Sequence, residues 1–210
     1  MIERAKWEAA WDLLGLTPPP GLLAELTARY AEPHRAYHTM QHIGECFAVL
    51  EPAESLARRL GEVMLALWFH DAIYDTRAHD NEAQSAEWAR ASLLAAGADA
   101  GTAEGVHRLV LTTTHHAAPE DPDAQLVVDV DLSILGAPDA RFAEYERQIR
   151  QEYAWVPPDA FRERRARVLG SFLGRPALYG TAHFATRLEA RARENLRRSL
   201  AQLGALPASP

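Results

Sequence analysis

The sequence predicts an all-α fold, a single-domain helical bundle, and three observations carry that expectation. Segments rich in Ala, Leu, Glu and Arg repeat their apolar residues at the helical period between breaks that contain Pro or Gly. None of these segments offers a strand-turn-strand signal. The chain has 210 residues, 48% of them hydrophobic, which is enough apolar surface for a packed core and excludes a disordered or fibrous chain.

Taken in order, the first segment, MIERAKWEAAWDLL, puts Trp7, Trp11 and Leu14 on one face of an amphipathic helix. Glu3, Arg4, Lys6 and Glu8 stand where a signal peptide would have its apolar core. Residues 1–30 are expected to form N-terminal helices packing on a domain that spans 31–204. After Pro52, ESLARRLGEVMLALWFHDAIYD aligns Leu56, Leu60, Val63, Leu67 and Trp68 and becomes apolar all round near Leu65 to Phe69. That pattern predicts a central, buried helix. Segments 81–96, 102–116, 139–154, 159–173 and 183–203 keep the helical period. The valines of LVVDVDLSIL, 126–135, would also suit a buried strand, but a lone strand has no pairing partner, so a helix is expected.

Charge and cysteine usage narrow the function. With 29 acidic against 22 basic residues, the net charge of -7 argues against nucleic acid as a partner. No apolar run approaches the ~18 residues of a membrane span, so no membrane partner is expected. Cys46 is the only cysteine, which excludes an internal disulfide or a cysteine-based zinc site and fits the cytoplasm. It reads as a small core hydrophobe. Trp7, Trp11 and Trp88 are read as core or homodimer-contact residues.

Histidines and aspartates are unevenly placed. His38 and His42, at i and i+4, would project from one face of a helix and could share a metal or divide labour. His70 and Asp71 close the most apolar segment, where polar groups need partners to offset desolvation. Asp75 would look into the same space if the helix continued through Ile73 and Tyr74. Asp129 and Asp131 sit among Val127, Val128, Val130 and Leu132, and aspartate is seldom buried unless paired or metal-bound. On a helix the two point about 200° apart, so one of them can face a metal and the other supports or caps. His115 and His116 add two more imidazoles. Imidazoles and carboxylates without thiolate suit Mn, Fe, Co, Ni or Zn better than Ca or a structural zinc site.

In order along the chain, RAYHTMQHI, ALWFHDAIYD, DNEAQSAE, TTTHH, DVDLSILG and IRQEY resemble the HD-domain superfamily of metal-dependent phosphohydrolases. The likeness extends from about Tyr30 to Leu200, and is strongest to the bacterial subgroup described as predicted metal-dependent HD phosphohydrolases. It implies a helical bundle of the HD-domain type with His42, His70, Asp71 and Asp131 as metal ligands. Similar YHNxxH and ADLS segments in cyclic-nucleotide phosphodiesterases imply His42 as ligand, His38 as general acid and Asp131, not Asp129, as the carboxylate. Thr39 departs from that pattern, so the likeness is one of site chemistry and not of substrate. Alarmone hydrolases of the guanosine tetraphosphate type carry a Glu-Asp pair where this chain has Tyr74-Asp75. That makes Asp75 a candidate base and argues against alarmone hydrolysis. His115 and His116 fall where two-metal members carry extra histidines, as ligands of a second metal or of substrate.

The resulting expectation is an enzyme, a hydrolase of phosphoric esters or anhydrides. It would use one or two divalent ions, Mn, Fe, Co, Ni, Zn or Mg, on a nucleotide or other small phosphorylated substrate. Arginine's fork suits phosphate, and Arg35 is the best-placed candidate, followed by Arg150 and Arg165. Glu82 is read either as support for a metal-bound water or as a first-turn residue behind an Asp80 cap. The alternatives are a di-iron HD-fold oxygenase and a non-catalytic metal or nucleotide sensor.

Overall fold

The computed structural model describes residues 2–114 and 120–204. Among the described residues it is entirely helical, with ten α-helices, three short 3-10 turns and no strand, as the periodicity predicts. No described helix is long and apolar enough to cross a membrane. The chain divides after Asp131 into two compact units. The division falls inside the apolar run 126–135, where composition marks no linker.

The first unit contains α1 (Ile2–Asp12), α2 (Leu22–Tyr30), α3 (Met40–Leu50), α4 (Leu60–Phe69), α5 (Asn81–Ala95), α6 (Ala100–Leu111) and α7 (Pro122–Asp131). Helix α4 is buried on every side from Gly61 to Phe69, because α1, α3, α5, α6 and α7 all pack against it. The N-terminal tryptophans join this core: Trp7 meets Trp68 edge-on at 5.4 Å and Trp11 has no exposed surface. Trp88 on α5 is half-buried, with Arg29 over its ring.

Two helix boundaries differ from the sequence expectation. The long helix after Pro52 does not form; a 3-10 turn, Glu51–Leu56, gives way to extended backbone at Ala57, and α4 starts at Leu60. The buried Asp123 carboxylate, reaching over from α7, accepts the Arg58 and Arg59 amides at 2.7 and 3.0 Å and so supplies the cap of the new start. Leu56 leaves the expected stripe and is 41% exposed. Helix α3 begins at Met40, since extended Thr39 caps it by accepting the Gln41 amide. His38 therefore precedes the helix that carries His42. The run 126–135 is helical, as expected, through α7 and a 3-10 turn, Leu132–Gly136.

The second unit contains α8 (Asp139–Glu152), α9 (Pro158–Leu173) and α10 (Ala182–Gln202). Arg150 and Arg165, read as phosphate candidates, are used structurally here. Arg150 donates to the Tyr153 and Val156 carbonyls beyond the end of α8, and buried Arg165 bonds Glu146 and covers the Tyr145 ring.

Candidate metal centre

Three helix ends deliver the site. His42 lies in the first turn of α3, His70 and Asp71 follow α4, and Asp131 is the last residue of α7. His42, His70 and Asp131 each offer a ligand atom, and these atoms lie within 4.8 Å of one another. His42 Nε2 and His70 Nε2 approach to 3.1 Å, and Asp131 Oδ1 is 3.3 and 3.5 Å from them. Asp71 Oδ2 stands 3.0 Å from His70 Nε2 and 3.6 Å from His42 Nε2. Both histidines are buried, while the carboxylates retain slight exposure.

The end of α4 explains why His70 is oriented. A helix leaves its last carbonyls without partners, and here each finds one. The Ala66 carbonyl accepts the His70 amide, Leu67 accepts His70 Nδ1–H at 2.9 Å, Trp68 accepts the Tyr30 hydroxyl and Phe69 accepts the Ala72 amide. A carbonyl can only accept, so His70 Nδ1 carries a proton and Nε2 is the ring atom turned toward the other ligand atoms.

Electrostatics favour a cation at this point. Burial opposes a charged His70, yet Asp71 and Asp131 outweigh it and lift its pKa well above the ordinary histidine value. Burial likewise opposes an ionised Asp71, and His70, His38 and His42 still hold it well below the usual carboxylate range. Burial, with Asp131 and Asp71, pushes the Cys46 thiol up, so Cys46 stays protonated at 3.7 Å from the His42 ring nitrogens. Two imidazoles and two carboxylates are a donor set suited to divalent Mn, Fe, Co, Ni or Zn. His42, His70 and Asp131 thus form a buried group that can hold a metal ion.

The remaining candidates distribute unevenly. His38 flanks the group, its ring 6.0 Å from His42 and stacked on Tyr74 at 4.1 Å. Asp75 is exposed, and its Oδ1 accepts the Arg77 amide, because the helix needed to turn it toward Asp71 stops at Phe69. Asp129 is 1% exposed and stands outside the metal group. The Arg35 side chain is wholly buried, and its guanidinium donates to the His38, Asp71 and Ala72 carbonyls. Glu82 lies in the first turn of α5, and Asp80 holds the cap position without a side-chain bond. His115 and His116 lie outside the described residues.

Sequence reasoning passed over Tyr30, Asn81 and Ser85, which fix the turn after α4. Asn81 exchanges bonds with the Asp75 backbone at 2.9 and 3.1 Å, and Ser85 Oγ accepts the Ile73 amide at 3.0 Å. Asn81 and Ser85 lie in DNEAQSAE, where their spacing after Asp75 was the available signal. A separate cavity of about 320 Å³, bordered by Glu62, Gly105, Arg108 and Asp123, shares no residue with the metal group. Comparison of the chain with protein-family models, curated proteins and solved structures finds no match.

Proposed function

We propose that this chain is a divalent-metal-dependent phosphohydrolase of the HD type, acting on a phosphoester or phosphoanhydride of a nucleotide or other small phosphorylated molecule. The observation that supports it is the convergence of His42, His70 and Asp131, with Asp71 alongside. These are the four residues on which the sequence resembles that superfamily. A bound divalent ion would supply Lewis acidity, neutralising phosphate charge and acidifying a water.

The chain's own groups do the rest. His42 and His70 would offer ring nitrogens to it, and Asp71 and Asp131 supply negative charge. His38, outside the ligand group but held beside it by the Tyr74 stack, donates the proton to the departing oxygen. The Asp75 carboxylate carries no step here, because it is turned into its own loop.

A screen of protein reconstituted with Mn, Co, Ni, Mg or Fe tests the reading against nucleoside mono-, di- and triphosphates, cyclic nucleotides and simple phosphoesters. Release of phosphate or pyrophosphate that disappears in His42→Ala supports hydrolysis. Absence of turnover with every ion moves the assignment to a sensor, and iron-loaded, coloured protein that consumes O2 moves it to the oxygenase.

A further inference from the structure

We infer that Arg35 is a positioning residue of the candidate metal centre, clipping the turn that carries His38 to the turn that carries Asp71; the inference rests on the metal-centre reading. Its NH1 donates to the His38 carbonyl at 3.1 Å and to the Asp71 carbonyl at 2.7 Å, and its NH2 donates to the Ala72 carbonyl at 3.0 Å. One nitrogen thus bridges the backbone of the proposed proton donor and that of a proposed ligand, 33 residues apart by number.

The surroundings hold the fork in this pose. Nε donates to Glu32 Oε2 at 3.2 Å, and the guanidinium carbon lies 5.1 Å from the Tyr30 ring and 5.4 Å from the Tyr74 ring. Tyr30 in turn bonds the Trp68 carbonyl, and Tyr74 stacks on His38, so both flanking rings are tied to the same two turns. The positive charge also sits beyond the C-terminal end of α4, where the helix dipole favours a cation.

Arginine is required by geometry. The bracket uses all three nitrogens of one planar fork, NH1 on the His38 and Asp71 carbonyls, NH2 on the Ala72 carbonyl and Nε on Glu32, and the single ammonium of lysine replaces at most the NH1 part. A substrate phosphate cannot reach a guanidinium with no exposed side-chain surface whose nitrogens already face carbonyls. Groups that orient ligands in this way typically alter metal affinity by ~10- to 100-fold when removed.

Metal-free wild type, Arg35→Lys and Glu32→Ala are titrated with Co2+ by calorimetry and by the visible absorption of the bound ion, and Co2+-saturated protein is then titrated with inorganic phosphate. The clip predicts that Arg35→Lys weakens Co2+ binding by ~10- to 100-fold and shifts the Co2+ bands. Phosphate affinity at saturating Co2+ stays near wild type. Glu32→Ala moves Co2+ affinity the same way by a smaller factor, since only the Nε partner is lost. Unchanged Co2+ affinity with weakened phosphate binding overturns the inference and makes Arg35 a phosphate ligand. A lower melting temperature with unchanged Co2+ affinity and spectrum overturns it too, leaving a clamp of the fold alone. If Arg35→Lys does not fold, Glu32→Ala decides by the same criteria. Failure of wild type itself to bind Co2+ removes the metal-centre reading and is distinct from each of these results.

Discussion

His42 Nε2 and His70 Nε2 lie 3.1 Å apart, and His70 Nδ1–H is committed to the Leu67 carbonyl on the far side of the ring. Two buried ring nitrogens beside two carboxylates are a donor set that suits a divalent cation. A divalent ion should therefore bind the folded chain and stabilise it. At a free concentration 100 times its Kd the gain is about 2.7 kcal/mol, read as a rise in melting temperature. His70→Ala should abolish that rise. A variant that melts higher with Mn or Co to the same extent as wild type would place the ion elsewhere.

The two aspartates of α7 separate by direction. Asp131 Oδ1 meets both histidines, whereas Asp129, two residues earlier, points about 200° away around the helix. Asp131→Asn should lose stoichiometric metal in elemental analysis. Asp129→Asn should keep it while losing stability by ~1–3 kcal/mol, because Asp129 is buried and its partners are left with a changed group. Equal metal loss in both variants would show that Asp129 also serves the ion.

That pair shows how far the sequence could be read. The alternation of valine and aspartate placed one carboxylate of α7 at the site because helical geometry alone decides it. The apolar run before His70 likewise marked α4 as the central helix. The failures are tertiary in origin. Nothing near Arg58 announces that Asp123 will cap α4, so the helix start was misplaced. Thr39 could have warned that α3 begins after His38, since threonine is a favoured cap. Arg35 looked like a phosphate ligand because its burial depends on the carbonyls of residues 38, 71 and 72, a meeting that no local spacing reveals.

His38 and Asp75 should behave differently when replaced. His38→Ala is expected to bind metal normally and to hydrolyse an alkyl phosphoester ~10²- to 10⁴-fold more slowly. The loss should shrink for a p-nitrophenyl ester, whose leaving oxygen needs no proton. Asp75→Asn should retain rates within about threefold of wild type, since its carboxylate faces the Arg77 amide. Steady-state kinetics on both esters checks this, and a large rate loss in Asp75→Asn restores Asp75 as the base.

Glu62 provides a pH test remote from the metal group. Its side chain on α4 is 3% exposed and pairs with Arg59 at 2.7 Å, and α6 meets it at Gly105, where a Cβ would come within 2.2 Å of Oε2. Burial outweighs the pull of Arg59 and raises the carboxyl above its ordinary 4.5. A carboxyl whose pKa is raised by folding favours the folded state most below its unfolded value, and that advantage is lost as pH rises through the folded value. Glu62→Gln, which imitates the protonated form, should therefore be more stable than wild type at pH 7. The gain should vanish below about pH 4.5, where both side chains are neutral. Urea unfolding at pH 4 and pH 7 measures it. A Glu62→Gln chain less stable than wild type at pH 7 would mean that the Arg59 pair outweighs the cost of burial.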